Sequence, residues 1–266
     1  MKAALVQMPV TDSKSENLQT ACLYLEQAAQ LGAELAILPE MFCCPYTNPS
    51  FVQNAEEAGG PAWTAMSDAA RKNGLWLVAG SMPERAGGRI YNTSFVFDPS
   101  GAQLAFHRKL HLFDIDVQGG QRFCESETFT AGDHITVFET PFGKLGLCIC
   151  FDMRFPELPR VMTLAGARAI IAPAAFNMTT GPAHWELLFR QRAVDNQLHT
   201  IGVAPARDEN GPYVSYGNSI ACSPWGDVLC RAGSGPDLIL VDLDLDRNEA
   251  IRAQLPLLSA RRTDLY

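Results

Sequence analysis

The chain has 266 residues, 47% of them hydrophobic, enough for one large core or two small ones. Its formal net charge of −8 argues against nucleic acid or an anionic membrane as partner. An anionic substrate would have to meet a local cationic pocket on such a surface.

In chain order, residues 2–7 alternate and lean apolar, which predicts an opening strand. Met1 to Val6 lacks the apolar stretch and cleavage pattern of an export signal, and no run of about 18 apolar residues follows, so a soluble, cytosolic protein is expected. Leu18, Cys22, Leu25 and Ala29 recur at helical spacing within 15–31, and Gly32 stops that helix. Residues 34–39 read as a strand ending at Pro39. Pro61 opens a helix over 61–73 that ends at Gly74, and 75–80 is the next strand. Runs at 90–97 and 102–107 flank the turn Asp98-Pro99-Ser100-Gly101, and runs at 135–139 and 144–149 flank Thr140-Pro141-Phe142-Gly143. Strand and helix then alternate. Pro156 opens a helix to Ala165, 169–172 is a strand, 182–197 a helix and 199–204 a strand. Residues 215–223 and 228–231 read as a hairpin around Pro224-Trp225-Gly226-Asp227. A strand at 237–242 and a helix to about Arg252 follow.

This alternation implies an α/β protein with mixed sheets, either two packed sheets or one large one. No linker, charge block or internal repeat divides the chain. One domain is expected over residues 1–245, with 246–266 as a C-terminal helix and tail packing on the domain or on a partner subunit.

Eight cysteines (Cys22, Cys43, Cys44, Cys124, Cys148, Cys150, Cys222, Cys230) are scattered, which favours reduced thiols over a disulfide framework. Neither Cys43-Cys44 nor Cys148-x-Cys150 has zinc-knuckle spacing, so no metal site is expected.

Four segments place reactive side chains just after strands, where loops are held rigidly. In Leu38-Pro39-Glu40, the carboxylate closes a buried strand and gains basicity if it loses water. Glutamate is mostly solvent-facing, so local sequence alone favours an exposed Glu40. In His107-Arg108-Lys109-Leu110-His111, Lys109 offers a fixed positive charge, although local sequence favours a basic surface turn. His107 and His111 have helix-face spacing in a segment that reads as extended, which discounts a metal pair. In Cys148-Ile149-Cys150-Phe151-Asp152, a strand delivers Cys150 into a sharp turn, where a helix N-terminus lowers a thiol pKa and the next N–H faces a developing oxyanion. Cys148 reads as a core thiol. The fourth, Ala174 to Gly181, either lines a pocket or merely caps the next helix.

Together, Leu38-Pro39-Glu40, Arg108-Lys109-Leu110-His111-Leu112 and Cys150-Phe151-Asp152-Met153-Arg154-Phe155-Pro156-Glu157 resemble the three motifs of the nitrilase superfamily of carbon–nitrogen hydrolases. The resemblance runs from Val6-Gln7 to the C-terminal Arg262-Thr263-Asp264-Leu265-Tyr266. The stretches His111–Asp116, Phe176–Glu186 and Arg192–Gln197 bring it closest to the ω-amidase branch, which hydrolyses α-ketoglutaramate and α-ketosuccinamate. Phe151, where many relatives have Tyr, and the loop Val117–Gln121 depart from the usual pattern.

The resemblance implies an αββα sandwich of two mixed β-sheets flanked by helices, assembled as a homodimer or higher homo-oligomer. It implies Cys150 as nucleophile, Glu40 as general base, and Lys109 with the Phe151 backbone N–H as oxyanion donors. An accessory carboxylate falls on Glu125 by its spacing to Lys109, with Glu127 the nearby alternative. Arg154 is expected to grip a substrate carboxylate, unless it pairs internally with Asp152 or Glu157. Thr180 adds a hydroxyl and Phe176 a wall. The substrate is a small anionic amide, and no metal or organic cofactor is called for. The nearest alternative is an amidase of deaminated glutathione. From another class, the cysteines suggest a thiol redox or metal-binding protein.

Overall fold

The computed structural model describes residues 1–265; Tyr266, at the end of the C-terminal stretch noted above, lies outside the described residues. The first half comprises β1 (Lys2–Gln7), α1 (Lys14–Gln30), β2 (Leu35–Ile37), α2 (Asn48–Asn54), α3 (Pro61–Asn73), β3 (Trp76–Ala86), β4 (Arg89–Phe97) and β5 (Gln103–Arg108). A small hairpin follows, β6 (Asp114–Asp116) with β7 (Arg122–Cys124). The second half comprises β8 (Thr136–Thr140), β9 (Gly143–Leu147), α4 (Glu157–Leu164), β10 (Ala169–Pro173), α5 (Gly181–Asn196), β11 (His199–Val203), β12 (Ile220–Cys222) and β13 (Val228–Arg231). The chain then returns through β14 (Asp237–Asp242) to α6 (Arg247–Gln254).

The strands form two six-stranded sheets, ordered β14-β1-β2-β3-β4-β5 and β13-β12-β11-β10-β9-β8. Both are mixed: β1, β2 and β3 run parallel in the first, as do β9, β10 and β11 in the second, with antiparallel neighbours outside them. Side chains alternate between the faces of a strand, so each central strand supplies two cores. Ala3 and Leu5 of β1 join Ile37, Val78, Leu147, Ile171 and Ile201 in a layer between the sheets. Ala4 and Val6 of the same strand point the other way and meet Leu25 of α1 and Met66 of α3. Ile170 and Ala172 of β10 likewise pack on Met162 of α4 and on Trp185 and Phe189 of α5. Three apolar layers between four structural ones make the αββα sandwich, and the single large sheet is ruled out.

Local chemistry explains most boundaries. Ser13 caps α1 by accepting from Glu16 N at 3.3 Å. Pro61 occupies the first turn of α3, and Gly74 ends it in the left-handed region at φ 64°. The expected strand over 215–223 is shorter than its apolar pattern: only Ile220–Cys222 is extended and paired. Gly217 and Asn218 sit at φ 66° and 61°, which breaks an extended run. The β9 strand also stops at Leu147, and Cys150–Arg154 is a short 3-10 turn before α4.

The C-terminal helix is seated on the second sheet. Buried Asn248 donates to Arg168 O at 2.6 Å and faces His199 Nδ1 at 3.1 Å, and Ile251 is buried beside it. Among the described residues, no helix is long and apolar enough to cross a membrane.

Candidate active site

Glu40 is positioned by the first sheet. Leu38 N still bonds to Val78 O at 3.0 Å, extending the pairing of β2 with β3. Beyond it, Pro39 O accepts from Ser81 N at 3.3 Å, and the Ser81 hydroxyl accepts from Met41 N at 3.2 Å. Gly80 makes this approach possible, since a Cβ there would stand 2.1 Å from Pro39 O. The carboxylate so placed is 1% exposed, against the expectation of a solvated strand end. Its Oε1 accepts from Asn92 Nδ2 and Lys109 Nζ, both at 2.9 Å, and its Oε2 from Ala175 N at 2.8 Å.

Lys109 follows directly on β5, and its own N–H bonds to Asn92 O at 2.9 Å. It is fully buried rather than part of a basic surface turn, because its ammonium lies 2.9 Å from both Glu40 and Glu125. Glu125 is fully buried too, and it accepts from Phe113 N at 2.7 Å and from Tyr46 Oη at 2.5 Å. Glu127, by contrast, is exposed and bonds Asn48 Nδ2 at 3.3 Å. Spacing therefore selected the carboxylate that reaches Lys109.

Cys150 is 3% exposed, and its thiol is within hydrogen-bonding reach of the Glu40 carboxylate and the Ala175 N–H. Its backbone is left-handed at φ 47°, and so is that of Met41, the residue after Glu40, at φ 54°. Non-glycine residues are strained there, and such strain concentrates at functional sites. Phe151 is the second residue of the 3-10 turn that Cys150 opens, and an N–H so early in the turn needs no partner within it and can face a ligand. Cys148 is fully buried with its thiol on Ile171 O, as expected of a core residue.

The electrostatics of this cluster follow from burial. Desolvation raises the Glu40 carboxyl above its ordinary value, with the Glu125 charge adding to it and Lys109 opposing. Burial alone would lower Lys109, but Glu125 and Glu40 outweigh it and hold the ammonium above the usual lysine value. The Cys150 thiol is pushed well above its ordinary value by desolvation and by the Glu40 charge, which Lys109 only partly offsets. That corrects the expectation of a thiol acidified by a helix N-terminus. Five residues of 3-10 turn supply little dipole, and the Glu40 charge acts on the thiol more strongly than that of Lys109. Cys150 therefore rests as a protonated thiol beside the Glu40 carboxylate, not as a thiolate.

Arg154 leaves the same turn half-buried. Its guanidinium stacks over Phe176 at 4.7 Å and Phe151 at 5.6 Å, and it donates to His184 Nδ1 at 3.1 Å. Among the described residues it forms no ion pair with Asp152 or Glu157: Asp152 is held by His107 and His111 instead. Phe176 is buried against Trp185 and forms the wall beneath Arg154. The Thr180 hydroxyl donates to Asn177 Oδ1 at 3.1 Å, so it faces other groups only as an acceptor. Asn177 in turn donates to Gln121, which ties the unusual Val117–Gln121 loop to this segment.

Sequence reasoning missed Tyr46, Asn92 and Tyr213. Tyr213 bonds Ala175 O, and its ring lies 4.5 Å from that of Tyr46. Both tyrosines, with Glu40, Met41 and Ala175, line a cavity of about 320 Å³ that also touches the exposed Asp12 and Asp208. Neither Cys150 nor Arg154 lines it. Tyr46 was within reach of sequence reading, since it lies in the loop that Glu40 begins. Asn92 gave a weaker signal, one of three consecutive polar residues between the apolar ends of the run at 90–97. Among the described residues no three His, Cys, Asp or Glu side chains converge as a metal-ligand set.

The carbon–nitrogen hydrolase family model matches residues 2–253. The chain belongs to that family. It is 48% identical to the ω-amidase NIT2 of Xenopus tropicalis over its full length and 96% of the relative's. Human ω-amidase NIT2 is 44% identical over the same shares of the two chains. Among solved structures, Nit3 of Saccharomyces cerevisiae, from branch 10 of the nitrilase superfamily, superposes with a TM-score of 0.90 at 38% identity, covering 98% of this chain and 96% of that one. An amidase from Nesterenkonia sp., carrying the acetamide moiety of fluoroacetamide covalently on its active-site cysteine, superposes with a TM-score of 0.82 at 26% identity, covering 100% and 95%.

Proposed function

We propose that this member of the carbon–nitrogen hydrolase family is an amidohydrolase of the ω-amidase type. It hydrolyses the terminal amide of a small α-keto dicarboxylate monoamide, α-ketoglutaramate or α-ketosuccinamate, to the acid and ammonia. One observation carries the reading: a buried Glu40–Lys109–Cys150 cluster with the guanidinium of Arg154 nearby and unpaired by any carboxylate among the described residues. The relatives named ω-amidase support the substrate class.

Glu40 takes the thiol proton as the Cys150 sulfur attacks the amide carbon. Burial has made that carboxylate a stronger base, which suits it to a thiol that is itself hard to ionise. Lys109 and the Phe151 N–H hold the oxyanion; losing one such donor typically costs about 2.7–4 kcal/mol of transition-state stabilisation. The tetrahedral adduct collapses, breaking the C–N bond, and Glu40 gives its proton to the leaving nitrogen, which departs as ammonia. Water then attacks the thioester and passes a proton to Glu40. The C–S bond breaks, the acid leaves, and that proton returns to sulfur. Glu125 fixes Lys109, Arg154 grips the distal carboxylate, Phe176 supports Arg154, and Thr180 offers an acceptor.

The same reading places residues 1–245 as the catalytic domain and 246–266 as an extension on it or on a partner subunit. It makes the protein a homodimer or higher oligomer, supported by exposed Leu187, Val194 and Trp225 on one face. Eight free cysteines suit a reducing cytoplasm. The relative kcat/KM on α-ketoglutaramate and on deaminated glutathione tests the substrate. A clear preference for the larger amide would transfer the assignment to the alternative.

A further inference from the structure

The two histidines whose four-residue spacing suggested a metal pair meet on one buried carboxylate instead. Asp152 is fully buried. Its Oδ1 accepts from His111 N at 2.9 Å and His111 Nδ1 at 2.8 Å, and its Oδ2 from His107 Nε2 and Ile149 N, each at 3.0 Å. Four donors fill the four lone-pair positions of the carboxylate. An ionised carboxylate only accepts, so His107 carries a proton on Nε2 and His111 one on Nδ1. His107 is fixed further by Thr136 Oγ1 at 3.0 Å from its Nδ1. The His111 ring stacks on Phe155 with centroids 3.7 Å apart.

The arrangement joins two separate segments. His107 and His111 bracket Lys109, two residues away on either side. Ile149 and Asp152 bracket Cys150 and Phe151. Both segments are pinned to one carboxylate, so the spacing between the Lys109 ammonium and the strained Cys150 turn is set there. Burial raises the Asp152 carboxyl, but the bonds from His107 and His111 outweigh it and hold the group below the ordinary aspartate range, so it stays an acceptor at neutral pH.

We propose that Asp152 is a positioning residue, whose carboxylate sets the geometry of Lys109 and the Phe151 N–H around the Cys150 sulfur. This rests on Cys150 being the nucleophile. Asp152→Asn is the direct perturbation. An amide offers one oxygen and one NH2, so His107 can adapt by moving its proton to Nδ1, but either orientation leaves a backbone N–H, of Ile149 or of His111, without an acceptor. His111→Phe keeps the stack on Phe155, removes one donor, and lies at a side chain 33% exposed, where folding is least at risk.

The experiment measures kcat and KM for an amide that wild type hydrolyses, together with the fraction of molecules alkylated at Cys150 by iodoacetamide, read from fragment spectra of its peptide. With Asp152→Asn, turnover per alkylatable site falls about 100-fold, the scale of an ångström-sized misplacement, with KM nearly unchanged. His111→Phe shows a smaller fall of the same kind. If the alkylatable fraction falls in step with kcat and turnover per site stays constant, the role is only structural and the proposal is overturned. Unchanged kcat in both variants, or a change confined to KM, overturns it as well. Cys150→Ala is run in parallel: full turnover there would remove the nucleophile assignment itself, whatever Asp152 does.

Discussion

The Lys109 ammonium lies 2.9 Å from Glu125 and the same distance from Glu40, with all three side chains sealed from solvent. Burial keeps Glu40 basic, and the Glu125 charge adds to this against the opposing pull of Lys109. Breaking such a buried set by removing one partner is costly, typically about 3–5 kcal/mol. Glu125→Gln is therefore expected to lower kcat by roughly 100-fold through a displaced Lys109. Glu127→Gln, on an exposed side chain, leaves kcat unchanged. Ammonia release at saturating substrate distinguishes them, and equal losses would contradict the assignment of Glu125.

Arg154 is held by aromatic faces and His184, and among the described residues by no acid. A charged hydrogen bond contributes about 1.5–3 kcal/mol, so Arg154→Ala should raise KM for an α-keto dicarboxylate monoamide by roughly 10- to 100-fold. A neutral amide should be almost unaffected. Parallel losses on both substrates would show that Arg154 supports the turn and does not read a carboxylate.

The pH profile follows from burial. Glu40 must be ionised to accept a proton, and its carboxyl is raised above the ordinary 4.5. The acid limb of kcat/KM should accordingly lie above that value. Cys150 is raised well above 9.0, so no limb from thiolate formation appears at neutral pH. An acid limb at or below the ordinary carboxylate value would mean that Glu40 is not the titrating base.

His199 supplies a test of stability. Buried between the second sheet and α6, it is lowered from 6.5 to about 4, chiefly by desolvation. The unfolded chain binds this proton more readily, so the contribution of neutral His199 is complete above about pH 6.5 and is lost as pH falls toward 4. The effect amounts to at most about 3 kcal/mol. His199→Gln keeps a donor for Asn248 and does not titrate. Urea midpoints at pH 7.5 and 4.5 should differ less for this variant than for wild type, and an equal difference would refute the linkage.

Much of the site was legible because each reactive residue ends a strand within a short, contiguous motif. Glu40 and Cys150 each follow an apolar run that the pattern marks clearly, and Lys109 follows the second strand of a hairpin marked by its turn. Their burial was not legible: a local window shows a glutamate or a lysine, but not the opposite charge that arrives from far along the chain. The same limit hid Asn92, which acts on Glu40 from dozens of positions away. It also hid the meaning of His107 and His111, whose shared partner lies some forty residues on. In the fold, α2 opens with Asn48-Pro49, which reads as a turn, and β6 and β7 are too short to show a period. The layered sheets themselves followed from alternation of strand and helix, but two sheets rather than one required knowing which faces of β1 and β10 meet.

Ammonia release from α-ketoglutaramate by wild type and Cys150→Ala, assayed side by side, tests the central claim most directly. Rapid release by wild type with loss of at least a thousandfold in the variant is the expected result. Comparable release by both would contradict the Cys150 mechanism, and release by neither would contradict the substrate.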